Sequence, residues 1–228
     1  MSNGTNPGPG GQGGGKLGGG NINEKKSTDV WSYRHDPNNA PFVDAINSAA
    51  RTLENDFPGL MKDVNKVNAV ELGGNQRTQV LGYYMTDGSG KHSVNINTEY
   101  TDIDVMNATM DAAAKSGFHP SRGNKSGTEA VALHEFGHAL TEHIAKKMNI
   151  GGIMKLDAAA DQLVADARKS AGKIAGKKGI KQFRESISEY AGTTNAEAVA
   201  EAVADYYCNG KNASTASKAI MAEIYKYR

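Results

Sequence analysis

ALHEFGHAL, residues 132–140, sets His134 and His138 four positions apart, with Glu135 directly after the first. Four residues of α-helix turn the chain through about 400°, so the two imidazoles share one helix face about 6 Å apart and can bend onto one ion. Glu135 is about 100° round from His134 and can reach the coordination position that the histidines leave open. Val131, Ala132 and Leu133 before the motif, with Ala139 and Leu140 after it, make this a buried helix. Two histidines and a glutamate are costly there without partners. The bland alternative is a chance string whose histidines are only hydrogen-bonded. A metal explains the three together, and a catalytic zinc takes three protein ligands and keeps a position for water, whose pKa it lowers to about 7. Glu135 would accept that water's proton.

The third ligand has to come from elsewhere. A metzincin needs glycine at position 141 and histidine at 144, where this chain has Thr141 and Ile144. His143 is a half-turn off the ligand face and reads as a surface or partner histidine. In SEYAGTTNAEAVAEAVADYY, residues 188–207 within the helical C-terminal part, Glu197, Glu201 and Asp205 fall at four-residue intervals on one helix face. Val199, Val203 and Tyr206 lie on roughly the opposite face, the pattern of an amphipathic helix with its acids in water. The alanines between them permit close approach of a second helix, and a carboxylate row gains from such burial only where it faces a cation.

The rest of the chain frames this motif. With 228 residues, 38% of them hydrophobic, it can bury one good core or two small lobes, and its mean hydropathy of -0.55 is that of a soluble protein. Twenty-six basic against 25 acidic residues leave a net charge of +1, which supplies no general attraction to nucleic acid or to an anionic membrane. No apolar run approaches the roughly 18 residues that span a bilayer. The lone Cys208 has no internal disulfide partner, and the first residues lack the apolar core of a secretory signal. Life inside a cell or in a virion is expected, with export by another route open.

The first 20 residues carry ten of the 27 glycines, and residues 1–28 read as a disordered glycine-rich tail. The remainder, 29–228, reads as one domain: 29–148 a sheet plus the active-site helix, 149–228 a helical lobe. APFVDAINSAARTLENDF, residues 40–57, has its apolar positions on one helix face. VNAVEL, TQVLGYYM and HSVNINTEY, rich in Val, Ile, Thr and Tyr, predict a small antiparallel or mixed sheet, the last two joined by the turn TDGSGK. Helices are predicted over 102–116, 127–148, 155–175, 179–188, 195–208 and 213–226. Strands first and helices later is an α+β order.

HEFGH followed some tens of residues later by EAVAEAV resembles the gluzincin zinc metallopeptidases, most of all the anthrax lethal factor catalytic domain and zincin-like domains encoded by phages. In that pattern a tyrosine precedes the glutamate ligand by seven residues and a second glutamate follows it by four, and Tyr190, Glu197 and Glu201 match in register. GFHP at 117–120 is similar to the phage-encoded members. The resemblance covers about residues 117–207 and implies a zincin-like fold and a zinc-dependent endopeptidase. It implies His134, His138 and Glu197 as Zn2+ ligands, Glu135 as general base and Tyr190 as donor to the oxyanion. Glu201 would accept from the far nitrogen of a zinc-bound histidine. Glu201 with Asp205 fits the simpler Glu-x-x-x-Asp pattern equally well; Glu197 is preferred because only that register uses Tyr190. The alternative function is a phage structural or interaction module that keeps the metal-binding zincin scaffold with little or no turnover. A protein or peptide substrate is expected, lying extended along an edge strand, for which HSVNINTEY is the best candidate. Host cytoplasm or phage virion is the expected location.

RKSAGKIAGKKGIKQFR, residues 168–184, carries seven basic residues and no acid. It reads as a packed helix with a solvated basic face, or as a surface for a virion component or another acidic protein partner. With no aromatic residue among those charges before Phe183, single-stranded nucleic acid fits poorly.

Overall fold

A computed structural model describes residues 22–87, 90–175 and 179–228. In chain order the elements are β1 (Glu24–Asp29), α1 (Val30–Tyr33), α2 (Ala40–Asp56), α3 (Leu60–Asp63), β2 (Val64–Leu72), α4 (Gln76–Gln79), β3 (Gly82–Thr86) and β4 (His92–Asn97). The helices α5 (Ile103–Ser116), α6 (Gly127–Lys147), α7 (Lys155–Ala175), α8 (Ile180–Glu185), α9 (Asn195–Asn209) and α10 (Thr215–Ile224) follow. The architecture is α+β: a small mixed sheet packed against helices, then a helical C-terminal lobe.

The strands run in the order β1-β2-β4-β3, with β2 and β4 parallel and both outer pairs antiparallel. This corrects two expectations. HSVNINTEY forms β4, an interior strand, and the edge beyond it is β3. All six residues of β4 are buried, because the strand is covered by neighbours on both sides as well as by helices. The second correction concerns the tail. Residues 1–21 lie outside the described residues, but Glu24–Asp29, within or beside the stretch assigned to the tail, pairs with β2. EKKSTD is polar throughout and almost wholly exposed, so it lacks the apolar alternation by which strands are recognised. Charged residues on an edge strand also discourage pairing with other chains.

Helix α6 runs through the centre, buried at every residue from Gly127 to Ala145, and packs against α2, α5, α7, α9, β3 and β4. Ser126 caps it by accepting from the Glu129 N–H at 3.1 Å, and Lys146 and Lys147 in its last turn complement the helix dipole. Helix α2 lays Phe42, Val43, Ile46, Ala49 and Leu53 into the same core. One turn beyond His138, Glu142 accepts from Thr86 Oγ1 at 3.1 Å and lies 3.0 Å from His92 Nδ1 and 3.2 Å from Lys155 Nζ. These contacts tie both hairpin strands and the start of α7 to the central helix.

Candidate metal centre

The i, i+4 spacing on α6 brings the rings of His134 and His138 to 5.0 Å between centroids at 83°. Helix α9 supplies the third group. Thr194 Oγ1 caps α9 by accepting from the Glu197 N–H at 3.0 Å. In the Thr-x-x-Glu box that this spacing matches, the carboxylate would turn back to the cap. Here Glu197 instead faces α6, with Oε2 3.2 Å from His134 Nε2 and 3.5 Å from His138 Nε2.

One donor atom from each of His134, His138 and Glu197 lies within 4.8 Å of the others, and all three residues are buried. Ligands about 2.1 Å from a tetrahedral zinc stand about 3.4 Å apart, close to the two histidine-to-glutamate separations. Neither ring nitrogen of His138 and neither carboxylate oxygen of Glu197 has a hydrogen-bond partner. Four buried polar atoms without partners are costly unless a cation satisfies them, so the donor set fits a divalent metal.

Behind His134 sits Glu201. Its Oε1 is 2.8 Å from His134 Nδ1 and 3.1 Å from His119 Nδ1, and its Oε2 accepts from Ser188 Oγ at 2.8 Å. Burial pushes this carboxyl up, yet His119 and His134 outweigh burial and hold it far below the usual carboxylate range. For His134 burial works downward, and the carboxylates of Glu197 and Glu201 overcome it and raise the imidazole well above its ordinary value. Glu197 is lowered, because His138 and His134 outweigh its burial.

Glu135 is pushed up to about 7 by burial, which outweighs the neighbouring histidines, with the charges of Glu197 and Glu201 acting in the same upward direction. Its Oε2 has no hydrogen-bond partner. It lies against the edge strand: a Cβ on Gly82 would stand 3.1 Å from Glu135 Oε1. Tyr190 is buried with its ring 5.8 Å from that of His134 and 5.2 Å from that of His119. A cavity opens beside these groups, and Leu81, Met110, Val131 and Cys208 line it with Glu135 and Tyr190. Burial pushes the Cys208 thiol up to about 12, so it behaves as a small apolar wall.

No protein-family model, no curated protein and no solved structure matches this chain. The site is therefore read from its own geometry.

That geometry separates residues that spacing alone grouped. Asp205, the third acid of the α9 row, accepts from Ser214 N at 2.8 Å, Ser217 Oγ at 2.6 Å and Asn209 Nδ2 at 2.8 Å, so it anchors the start of α10. His143 is buried against α3, with Nδ1 2.7 Å from Asp63 Oδ2. In the basic segment, the side chains of residues 173–178 lie outside the described residues. Arg184 donates to Asn195 Oδ1 at 2.7 Å and to Gly192 O at 2.8 Å, bracing the start of α9. Among the described residues no helix is long and apolar enough to cross a membrane.

Two contributors carried no assigned role in the sequence reading, His119 and Ser188. His119 follows Phe118 in the loop after α5, and GFHP is the one sequence signal that marks it.

Proposed function

We propose that this chain is a zinc-dependent endopeptidase of the gluzincin type on a zincin-like fold, with Zn2+ held by His134, His138 and Glu197. The observation that carries the reading is Glu135. A buried carboxyl with an open oxygen, tuned to about 7, adjoins a cluster of His134, His138 and Glu197 in which the His138 and Glu197 donors lack hydrogen-bond partners. A general base works best with a pKa near the operating pH, and buried acids tuned in this way mark sites of chemistry.

Zinc at this cluster supplies a Lewis acid that polarises a carbonyl and lowers the pKa of water to about 7. The chain's own residues do the rest. Glu135 takes the proton of the attacking water and passes it to the departing amide nitrogen. Tyr190, packed against His134, offers its phenolic O–H to the oxyanion. Glu201 Oε1, 2.8 Å from His134 Nδ1, orients that ring so that Nε2 faces the ligand cluster. The peptide adds as a strand to β3, the sheet edge nearest Glu135, where the missing side chain of Gly82 leaves room for the Glu135 carboxylate.

The test is zinc stoichiometry by elemental analysis, followed by cleavage of a peptide library with and without chelator. One zinc per chain and chelator-sensitive cleavage are expected. A protein that holds zinc and cleaves no peptide would instead be a structural or interaction module that keeps the metal scaffold.

A further inference from the structure

The geometry points to His119 as a positioning residue of the metal centre, fixing Glu201 so that Glu201 can orient His134. The inference rests on the proposed metal site and adds a residue to it.

The stretch that carries His119 is pinned on its N-terminal side. Gly117 ends α5 in the left-handed conformation, φ 82°, which favours glycine. The carbonyls of Gly117 and Phe118 then accept from the N–H groups of Glu189 at 2.9 Å and Tyr190 at 3.1 Å. This short pairing joins the loop to the segment that leads into α9. The His119 ring packs edge-on against Tyr190, 5.2 Å between centroids, and against His134 at 6.4 Å. In this position its Nδ1 reaches the same oxygen, Glu201 Oε1, that His134 Nδ1 reaches.

The chemistry of that shared oxygen assigns the tautomers. Glu201 as a carboxylate only accepts, so both histidines present N–H at Nδ1. For His134 this leaves Nε2 as the nitrogen that faces the ligand cluster. Glu201 is buried and bonded to His119 Nδ1 and Ser188 Oγ, and His134 Nδ1 stands 2.8 Å from its Oε1. A buried carboxylate that loses one of its donors turns towards those that remain. Loss of the His119 donor therefore shifts Glu201 and, through it, the His134 ring. Residues that orient metal ligands change metal affinity by about 10- to 100-fold when replaced.

The experiment measures zinc affinity of the full chain by competition with a chromogenic chelator, and checks folding of each variant by thermal melting without metal. His119→Phe keeps a planar ring and removes both nitrogens; a 10- to 100-fold loss of affinity is expected. His119→Asn places an amide nitrogen where Nδ1 stood and is expected to recover most of that loss, which simple packing damage would not allow. Adding His119→Phe to Glu201→Gln is expected to cost less than about 3-fold beyond Glu201→Gln alone, since the effect passes through Glu201. Wild-type affinity in a folded His119→Phe, no recovery in His119→Asn, or fully multiplicative losses in the double variant would each overturn the inference while leaving the metal site standing. A wild type that binds no zinc removes the site and the inference together.

Discussion

A Cβ on Gly137 would stand 2.9 Å from the Cα of Ala200. The fourth residue of HEFGH thus marks where α6 and α9 touch backbone to backbone, one residue before His138 and one before Glu201. That contact sets the distance between the two histidines and the carboxylates opposite them. It also explains the alanines of EAVAEAV, since larger side chains would hold α9 away from its partner.

Gly137→Ala is accordingly expected to cost about 1–3 kcal/mol by overpacking and to weaken metal binding, because the ligands move apart. Gly151→Ala serves as the control, since nothing lies within 4 Å of a Cβ there. Chemical denaturation of both variants checks this; equal stability would mean that the helices have room to separate.

Glu135→Gln is expected to keep fold and zinc, because position 135 holds no ligand and the amide is nearly isosteric. Peptide cleavage should fall by about 100- to 10,000-fold, chiefly in kcat, as the general base is lost. Cleavage at the wild-type rate would remove Glu135 from the chemistry.

The three acids of α9 should separate in one series of affinity measurements. Glu197→Gln removes a proposed ligand and is expected to weaken zinc binding most. Glu201→Gln should weaken it by about 10- to 100-fold. Asp205→Asn should leave zinc affinity within about 3-fold while costing about 1–2 kcal/mol of stability, because its acceptors hold Ser214 and Ser217 rather than the cluster. A larger loss from Glu201→Gln than from Glu197→Gln would move the ligand one turn along the helix.

Zinc affinity should rise with pH through neutrality. His134 is raised well above its ordinary value by Glu197 and Glu201 despite its burial, so in the metal-free site it gives up its proton at higher pH than a free imidazole does. A ligand nitrogen must be free of its proton, so each pH unit below the His134 pKa weakens binding by up to about 10-fold. Calorimetry at pH 6.5 and 8 in buffers of different ionisation enthalpy measures both the affinity and the released proton. Binding that does not change with pH and releases no proton would contradict the upward shift of His134.

Truncation before Ile22 is expected to leave the melting temperature unchanged, because the composition removed supplies no apolar surface for a core. Truncation before Val30 removes β1 with two of its anchors, the bond from Tyr83 Oη to Glu24 Oε2 at 2.6 Å and that from Gly73 N to Asn23 O at 2.8 Å. It should lower melting by about 2–4 °C for each kcal/mol lost. Equal melting of the two truncated chains would show that β1 adds nothing to the sheet.

Much of the helical scaffold was legible without coordinates. The periodicity of residues 40–57 and the stretches predicted at 102–116, 127–148, 155–175 and 195–208 coincide with α2, α5, α6, α7 and α9 to within a residue or two. The i, i+4 spacing of His134 and His138 likewise fixed their common face, since a helix couples residues three and four apart whatever surrounds it. Tertiary structure decided what spacing could not. Three acids on one face of α9 are equivalent in sequence, and only the contact of Ala200 with Gly137 turns Glu197 to the histidines, Glu201 to the far side of His134 and Asp205 to α10. Strand order was hidden for the same reason: β4 and β3 carry similar residues, and which of them is the edge depends on where β2 pairs. His119 meets Glu201 from 82 positions away. Local periodicity reports forces between near neighbours, whereas a metal centre is built from groups that meet only after the chain has packed.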